Sequence, residues 1–94
     1  MTNDLKLVSR NVLIGEAEQM ISAADRISDK VVEACKIIDE HPGKIVISGM
    51  GKSGLIAQKI VSTLCSIGNK AVFLHPAEAV HGDLGIYAPG DPTI

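Results

Sequence analysis

The chain has 94 residues, a formal charge of −2 and 46% hydrophobic residues, with Phe73 and Tyr87 as its aromatics and no tryptophan. That length supports one small domain whose core is built from Ile, Val, Leu and Ala, the composition of helices packed on a parallel sheet. Weak negative charge without a basic run excludes nucleic acid and an anionic membrane as main partners, and a small ligand is expected instead.

No stretch approaches the roughly 20 apolar residues of a spanning helix, and Met1 to Lys6 lacks the layout of a signal peptide. A cytoplasmic protein is therefore expected. From Asp4 to about Ile27, the residues Leu5, Val8, Val12, Ile14, Met20, Ile21, Ala24 and Ile27 mark a helical stripe with Gly15 as its weak point. A second helix is expected after an N-cap at Ser28 or Asp29, with Val31, Val32, Cys35 and Ile38 on one face, ended by His41-Pro42-Gly43. These helices form a lead-in over about residues 4–41. Glu16, Glu18, Lys30 and Glu33 read as a solvated face, and Cys35 and Cys65 as reduced core residues rather than a disulfide.

Lys44 to Ser48 is a β-branched run without polar alternation, the mark of a strand covered on both faces. Ser53 to about Ile67 carries Ile56, Ile60, Leu64 and Ile67 at helical spacing, with Gly68-Asn69 as its stop, and Ala71 to Leu74 repeats the strand pattern. Strand, helix and strand over about residues 44–74 make a βαβ unit with parallel pairing. A loop over residues 75–85 comes next, with a short helical turn started by Pro76. The Pro89-Gly-Asp-Pro92 turn then leads into Thr93-Ile94, which reads as the opening of a third strand. Two strands seldom make a stable sheet, so the 94 residues read as the front part of one larger α/β domain.

Two clusters carry chemistry. Gly49-Met-Gly-Lys-Ser-Gly54 lies between strand and helix, where free N–H groups and the helix dipole favour an anion. The ATP-binding P-loop needs a glycine where Val46 stands, and the dinucleotide fingerprint needs an acid at the end of the second strand, where Leu74-His75 stands. Lys52 offers a charge for phosphate or for a developing oxyanion, and Ser53 a hydroxyl. The alternative is a tight turn with a solvated lysine. The second cluster is His75, Glu78, His81 and Asp83, just after a parallel strand at the edge where open α/β sheets place ligands. One histidine suits a metal and the other acid-base work, unless both cap backbone groups; Glu78 and Asp83 read as helix charge or loop caps. A zinc site needs three or four ligands, so further ligands would come from elsewhere.

Through Pro42-Gly-Lys-Ile-Val-Ile-Ser-Gly-Met-Gly-Lys-Ser-Gly54 and His75-Pro-Ala-Glu-Ala-Val-His-Gly-Asp-Leu-Gly85 the chain resembles the SIS (sugar isomerase) domain, and more narrowly the arabinose-5-phosphate isomerases of the KpsF/GutQ type. The resemblance spans about residues 28–94. It implies a Rossmann-like, doubly wound parallel sheet and interconversion of D-arabinose 5-phosphate and D-ribulose 5-phosphate, on the way to the Kdo sugar of lipopolysaccharide or capsule. It implies Lys52 as a catalytic residue, Gly68, Asn69, His75 and His81 as substrate contacts, and His75 as a contact of an optional zinc. No cofactor is required, and a homotetramer is implied, for which the apolar N-terminal helices would suit an interface. The family continues with a third strand, a serine-rich phosphate loop, two glutamates and another histidine. Without these, the 94 residues alone are expected to have weak or no isomerase activity. Two alternatives stand beside this reading: a non-catalytic sugar-phosphate-binding SIS module, and a nucleotide-binding βαβ unit.

Overall fold

The backbone departs from the expected layout first at its amino-terminal end. In the computed structural model, which describes residues 2–94, Thr2–Glu40 is one unbroken 39-residue helix, α1, where the sequence suggested two. The expected N-cap at Ser28 fails because its hydroxyl bonds the Ala24 carbonyl one turn back, a bond that serves a continuing helix rather than a new one. Gly15 is carried inside the same helix. The chain divides into two units between Cys35 and Lys36. The first consists of α1 up to Cys35. The second begins with the last turns of α1 and holds the sheet.

That second unit keeps the expected order: β1 (Ile45–Ser48), α2 (Gly51–Ser66), β2 (Ala71–Leu74), α3 (Pro76–Ala79) and a 3-10 turn at Asp83–Ile86. β1 and β2 pair in parallel, with Ile45 opposite Ala71 and Ser48 opposite Leu74. On the other side of β1, Thr93 bridges Val46 in parallel. Val46 N–H donates to the Pro92 carbonyl, Ile94 N–H to the Val46 carbonyl and Ser48 N–H to the Ile94 carbonyl, each at 2.9 Å. β1 is thus central, and it is buried accordingly: Val46 and Ile47 are fully enclosed.

The core gathers Ile45, Ile47, Ala57 and Ala71, with Ile38, Val61, Leu64 and Phe73 packed against it. α2 therefore faces the sheet with Gly54, Ala57, Val61 and Leu64; of the expected stripe Leu64 packs inward, whereas Ile56, Ile60 and Ile67 are exposed. The cause is backbone proximity. A Cβ on Gly54 would stand 2.6 Å from the Gly49 carbonyl oxygen, and one on Gly49 would stand 2.8 Å from the Ser53 carbonyl carbon. Only small residues fit that crossing, which turns Ala57 inward and Ile56 outward. Cys35 and Cys65 are free thiols, as read, but both are exposed rather than in the core.

Below β1, Asp91 fastens the start of the third extended segment. Its side chain is 1% exposed and takes the Lys44 ammonium at 2.5 Å and His41 Nε2 at 2.9 Å. Ala88 N–H adds a third donor at 2.8 Å. The Lys44 hydrogen bond, then those of Ala88 and His41, hold the Asp91 carboxyl well below the usual carboxylate range.

Two measurements check this packing. Gly15 has open space around its would-be Cβ and Gly54 has none. Urea unfolding should accordingly find Gly15→Ala stabilising by about 0.5–1 kcal/mol and Gly54→Ala destabilising by about 1–3 kcal/mol. A folded-state pKa lowered at Asp91 stabilises the fold above the ordinary carboxylate range, and that contribution fades as pH falls below it. Asp91→Asn should therefore melt below the wild type at pH 7, with the gap narrowing as pH drops below about 4.

Candidate functional site

Parallel strands point their carboxyl ends the same way, so the segments leaving Ser48 and Leu74 emerge side by side. Adjacent strands lie about 5 Å apart, which sets the spacing of the Gly49 turn and His75 at the backbone level. β2 lies on one side of β1 and residues 92–94 on the other, so the chain leaves β1 for one neighbour and returns past it to the other. The carboxyl end of β1 is the point where open α/β sheets form a crevice for ligands.

The turn presents an uncapped helix start. Met50 is the N-cap of α2 in an extended conformation and its side chain makes no capping bond. Helical bonding begins with Gly54 N–H to the Met50 carbonyl at 3.2 Å. The N–H groups of Gly51, Lys52 and Ser53 therefore stand at an uncapped helix start, with the partial positive charge of the helix behind them. Gly51 has φ +57°, a left-handed turn residue with open space around it. Gly49 and Gly54 have a different task, the close crossing of strand and helix. Lys52 and Ser53 lie exposed on the first turn of α2.

His75 is half-buried at the end of β2, with its ring edge-on to Phe73 at 6.3 Å between centroids. Its Nδ1 accepts Ala77 N–H at 3.1 Å and so caps α3. That bond sets the neutral ring's proton on Nε2. The capping alternative thus holds for His75 through Nδ1, while Nε2 remains for a ligand. His81 is exposed between α3 and the 3-10 turn, its N–H bonded to the Glu78 carbonyl at 3.0 Å. Among the described residues, Lys52, Ser53, His75 and His81 share no hydrogen bond with one another.

Gly68 and Asn69 lie elsewhere. They close α2 in a Schellman arrangement, with Gly68 N–H to the Cys65 carbonyl at 3.1 Å and Asn69 N–H to the Leu64 carbonyl at 2.9 Å. They precede Ala71, which pairs with Ile45, so they stand at the amino edge of the sheet. Lys52 is at the start of α2 and they follow its end, a span of about 24 Å along the helix. Within one chain the structure does not bring them to the crevice.

Nor do the residues present build a zinc site. Among the described residues no three His, Cys, Asp or Glu side chains gather to hold a metal, and Nδ1 of His75 is taken by Ala77. Two residues escaped the sequence reading. Ser48 donates its hydroxyl to the Leu74 carbonyl at 2.5 Å, and its only sequence signal is a polar residue ending an apolar run. Asp91, buried under three donors, was legible only as part of a turn.

The SIS domain family matches residues 36–94. The chain is 44% identical over 91 residues to "Arabinose 5-phosphate isomerase GutQ" of Escherichia coli K12, covering 97% of this chain and 28% of the relative. It is 43% identical over 79 residues to "Arabinose 5-phosphate isomerase KdsD" of Pseudomonas aeruginosa, covering 84% of this chain and 24% of the relative. A crystallographic neighbour, an E. coli CFT073 protein in complex with arabinose 5-phosphate, has a TM-score of 0.66 and 38% identity over 78% of this chain and 41% of its own. The chain thus spans between about a quarter and two fifths of the length of these proteins. With both the glycine turn and the histidine loop inside a match of that extent, the chain belongs to the SIS domain family.

Proposed function

We propose that this chain supplies the amino-terminal part of an aldose-ketose isomerase that interconverts D-arabinose 5-phosphate and D-ribulose 5-phosphate. The observation that carries the reading is the placement of the uncapped α2 start and His75 at neighbouring strand ends. It is supported by a structural neighbour in complex with arabinose 5-phosphate and by relatives named as arabinose 5-phosphate isomerases. A Rossmann-like, doubly wound completion of the sheet, a cytoplasmic setting and a homotetramer belong to the same proposal. For the last, α1 offers surface: Leu5, Met20 and Ile21 are all more than two-thirds exposed.

The chemistry is internally balanced. A base removes the C2 proton of the aldose, an enediolate forms across C1 and C2, O1 gains a proton as the O2 hydroxyl gives one up, and a proton returns to C1 as the carbonyl forms at C2. No electrons leave the sugar, so the scheme uses no redox cofactor. Lys52 is the group proposed to steady the enediolate oxygens, with Ser53 and the α2 N–H groups beside it. His75 offers Nε2–H as a donor, since Nδ1 is held by Ala77, and His81 a second imidazole on the same loop. Gly68 and Asn69 enter only if an assembly brings the amino edge of one copy to the crevice of another.

Isothermal calorimetry on the 94-residue chain tests the ligand class. D-arabinose 5-phosphate should bind, and D-arabinose without phosphate and NADH should not. Lys52→Ala should weaken the sugar phosphate by roughly two- to fivefold, the range for a solvent-screened charge. NADH binding without sugar-phosphate binding would move the assignment to a nucleotide-binding unit.

A further inference from the structure

We propose that Ser48 is a positioning residue for the crevice, acting through the Leu74 carbonyl to hold His75 in place beside the Gly49–Gly54 turn. The proposal rests on the reading of His75 as a sugar-phosphate contact. Ser48 is the last residue of β1 and pairs with Leu74, the last residue of β2. In a parallel ladder the next rung would be Gly49 N–H to the Leu74 carbonyl. The chain turns away at Gly49 to cross under α2, and among the described residues no backbone N–H reaches that carbonyl. The Ser48 hydroxyl takes the place of the missing rung at 2.5 Å, in a half-buried setting where such a bond is strengthened.

The same residue also holds the other side of the sheet, since its N–H donates to the Ile94 carbonyl at 2.9 Å. Ser48, at the carboxyl end of β1, therefore joins three extended segments. The pinned Leu74 carbonyl leads directly into the His75 backbone, and two residues later Ala77 N–H fixes the His75 ring through Nδ1. The ring's tautomer and direction thus depend on a backbone that one hydroxyl secures. Removing that hydroxyl leaves a half-buried carbonyl without its donor and lets the end of β2 move away from the turn. The ladder above, from Ile45 and Ala71 onward, remains paired, so the effect stays at the crevice.

Two readouts on the 94-residue chain test this. Amide exchange at Ala77 and the imidazole 15N shifts of His75 report the ring's anchoring without any ligand, and calorimetry with D-arabinose 5-phosphate reports the consequence. Ser48→Ala should lower Ala77 protection and weaken sugar-phosphate affinity, each by about three- to tenfold. Its His75 shifts should move from one tautomer toward the average of two. Ser48→Thr, which keeps the hydroxyl, should match the wild type in all three. If Ser48→Ala does not fold, Ser48→Cys, with a weak donor of similar size, should give the same three changes. Wild-type Ala77 protection and His75 shifts in a folded Ser48→Ala chain would overturn the proposal, as would Ser48→Thr behaving like alanine. If the wild type binds no sugar phosphate, the functional reading fails, and the Ala77 and His75 readouts still decide the role of Ser48.

Discussion

The backbone crossing of Gly49 and Gly54 is the constraint on which the site depends. A side chain at either position would stand within 3 Å of the opposing backbone, closer than packed atoms approach without displacement. With both positions bare, the first turn of α2 lies directly against the end of β1. That proximity puts the helix start at the carboxyl edge, lets Ala57 rather than a larger residue seal the core beneath it, and leaves Met50 and Lys52 on the outside. Of the glycines in the turn, Gly51 takes the left-handed backbone. The other two serve packing, and the packing aims the helix.

Two fastenings then hold the edges of the small sheet. At the amino edge, Asp91 gathers Lys44, His41 and Ala88 N–H and so seats residues 92–94 beside β1. At the carboxyl edge, Ser48 reaches Leu74 with its hydroxyl and Ile94 with its N–H. Between them the backbone ladders place β2 and residues 92–94 on either side of β1. The carboxyl end of such a central strand is the position at which open α/β sheets place ligands.

Much of this was legible in the sequence because the signals were local. The apolar runs at Ile45–Ser48 and Ala71–Leu74, the glycine turn and Pro76 after His75 each specify backbone by their own chemistry, and each element formed in the expected order. Thr93-Ile94 was read as a strand opening and does bridge β1. The errors came where tertiary context decides. Periodicity placed Ile56 and Ile60 toward the core, but it cannot report that two glycines bring the helix so close that Gly54 and Ala57 must face inward. Ser28 has a cap's chemistry yet bonds backward along α1. The contacts of Asp91 with His41 and Lys44 join positions about half the chain apart, which no local pattern reveals. Of the candidate site residues, Lys52, Ser53 and His75 follow from local motifs and share an edge, and Gly68 and Asn69, given by the resemblance, lie at the other.

On the proposed function, the sugar phosphate sits at the carboxyl edge of the sheet, at the end of β1. Backbone 1H–15N chemical-shift mapping with D-arabinose 5-phosphate tests it most directly. The expected result is saturable movement of the Gly51, Lys52, Ser53 and His75 amides, with Gly68, Asn69 and Lys44 unmoved. Saturable shifts confined to the Gly68–Lys70 segment, with the α2 start silent, would contradict it.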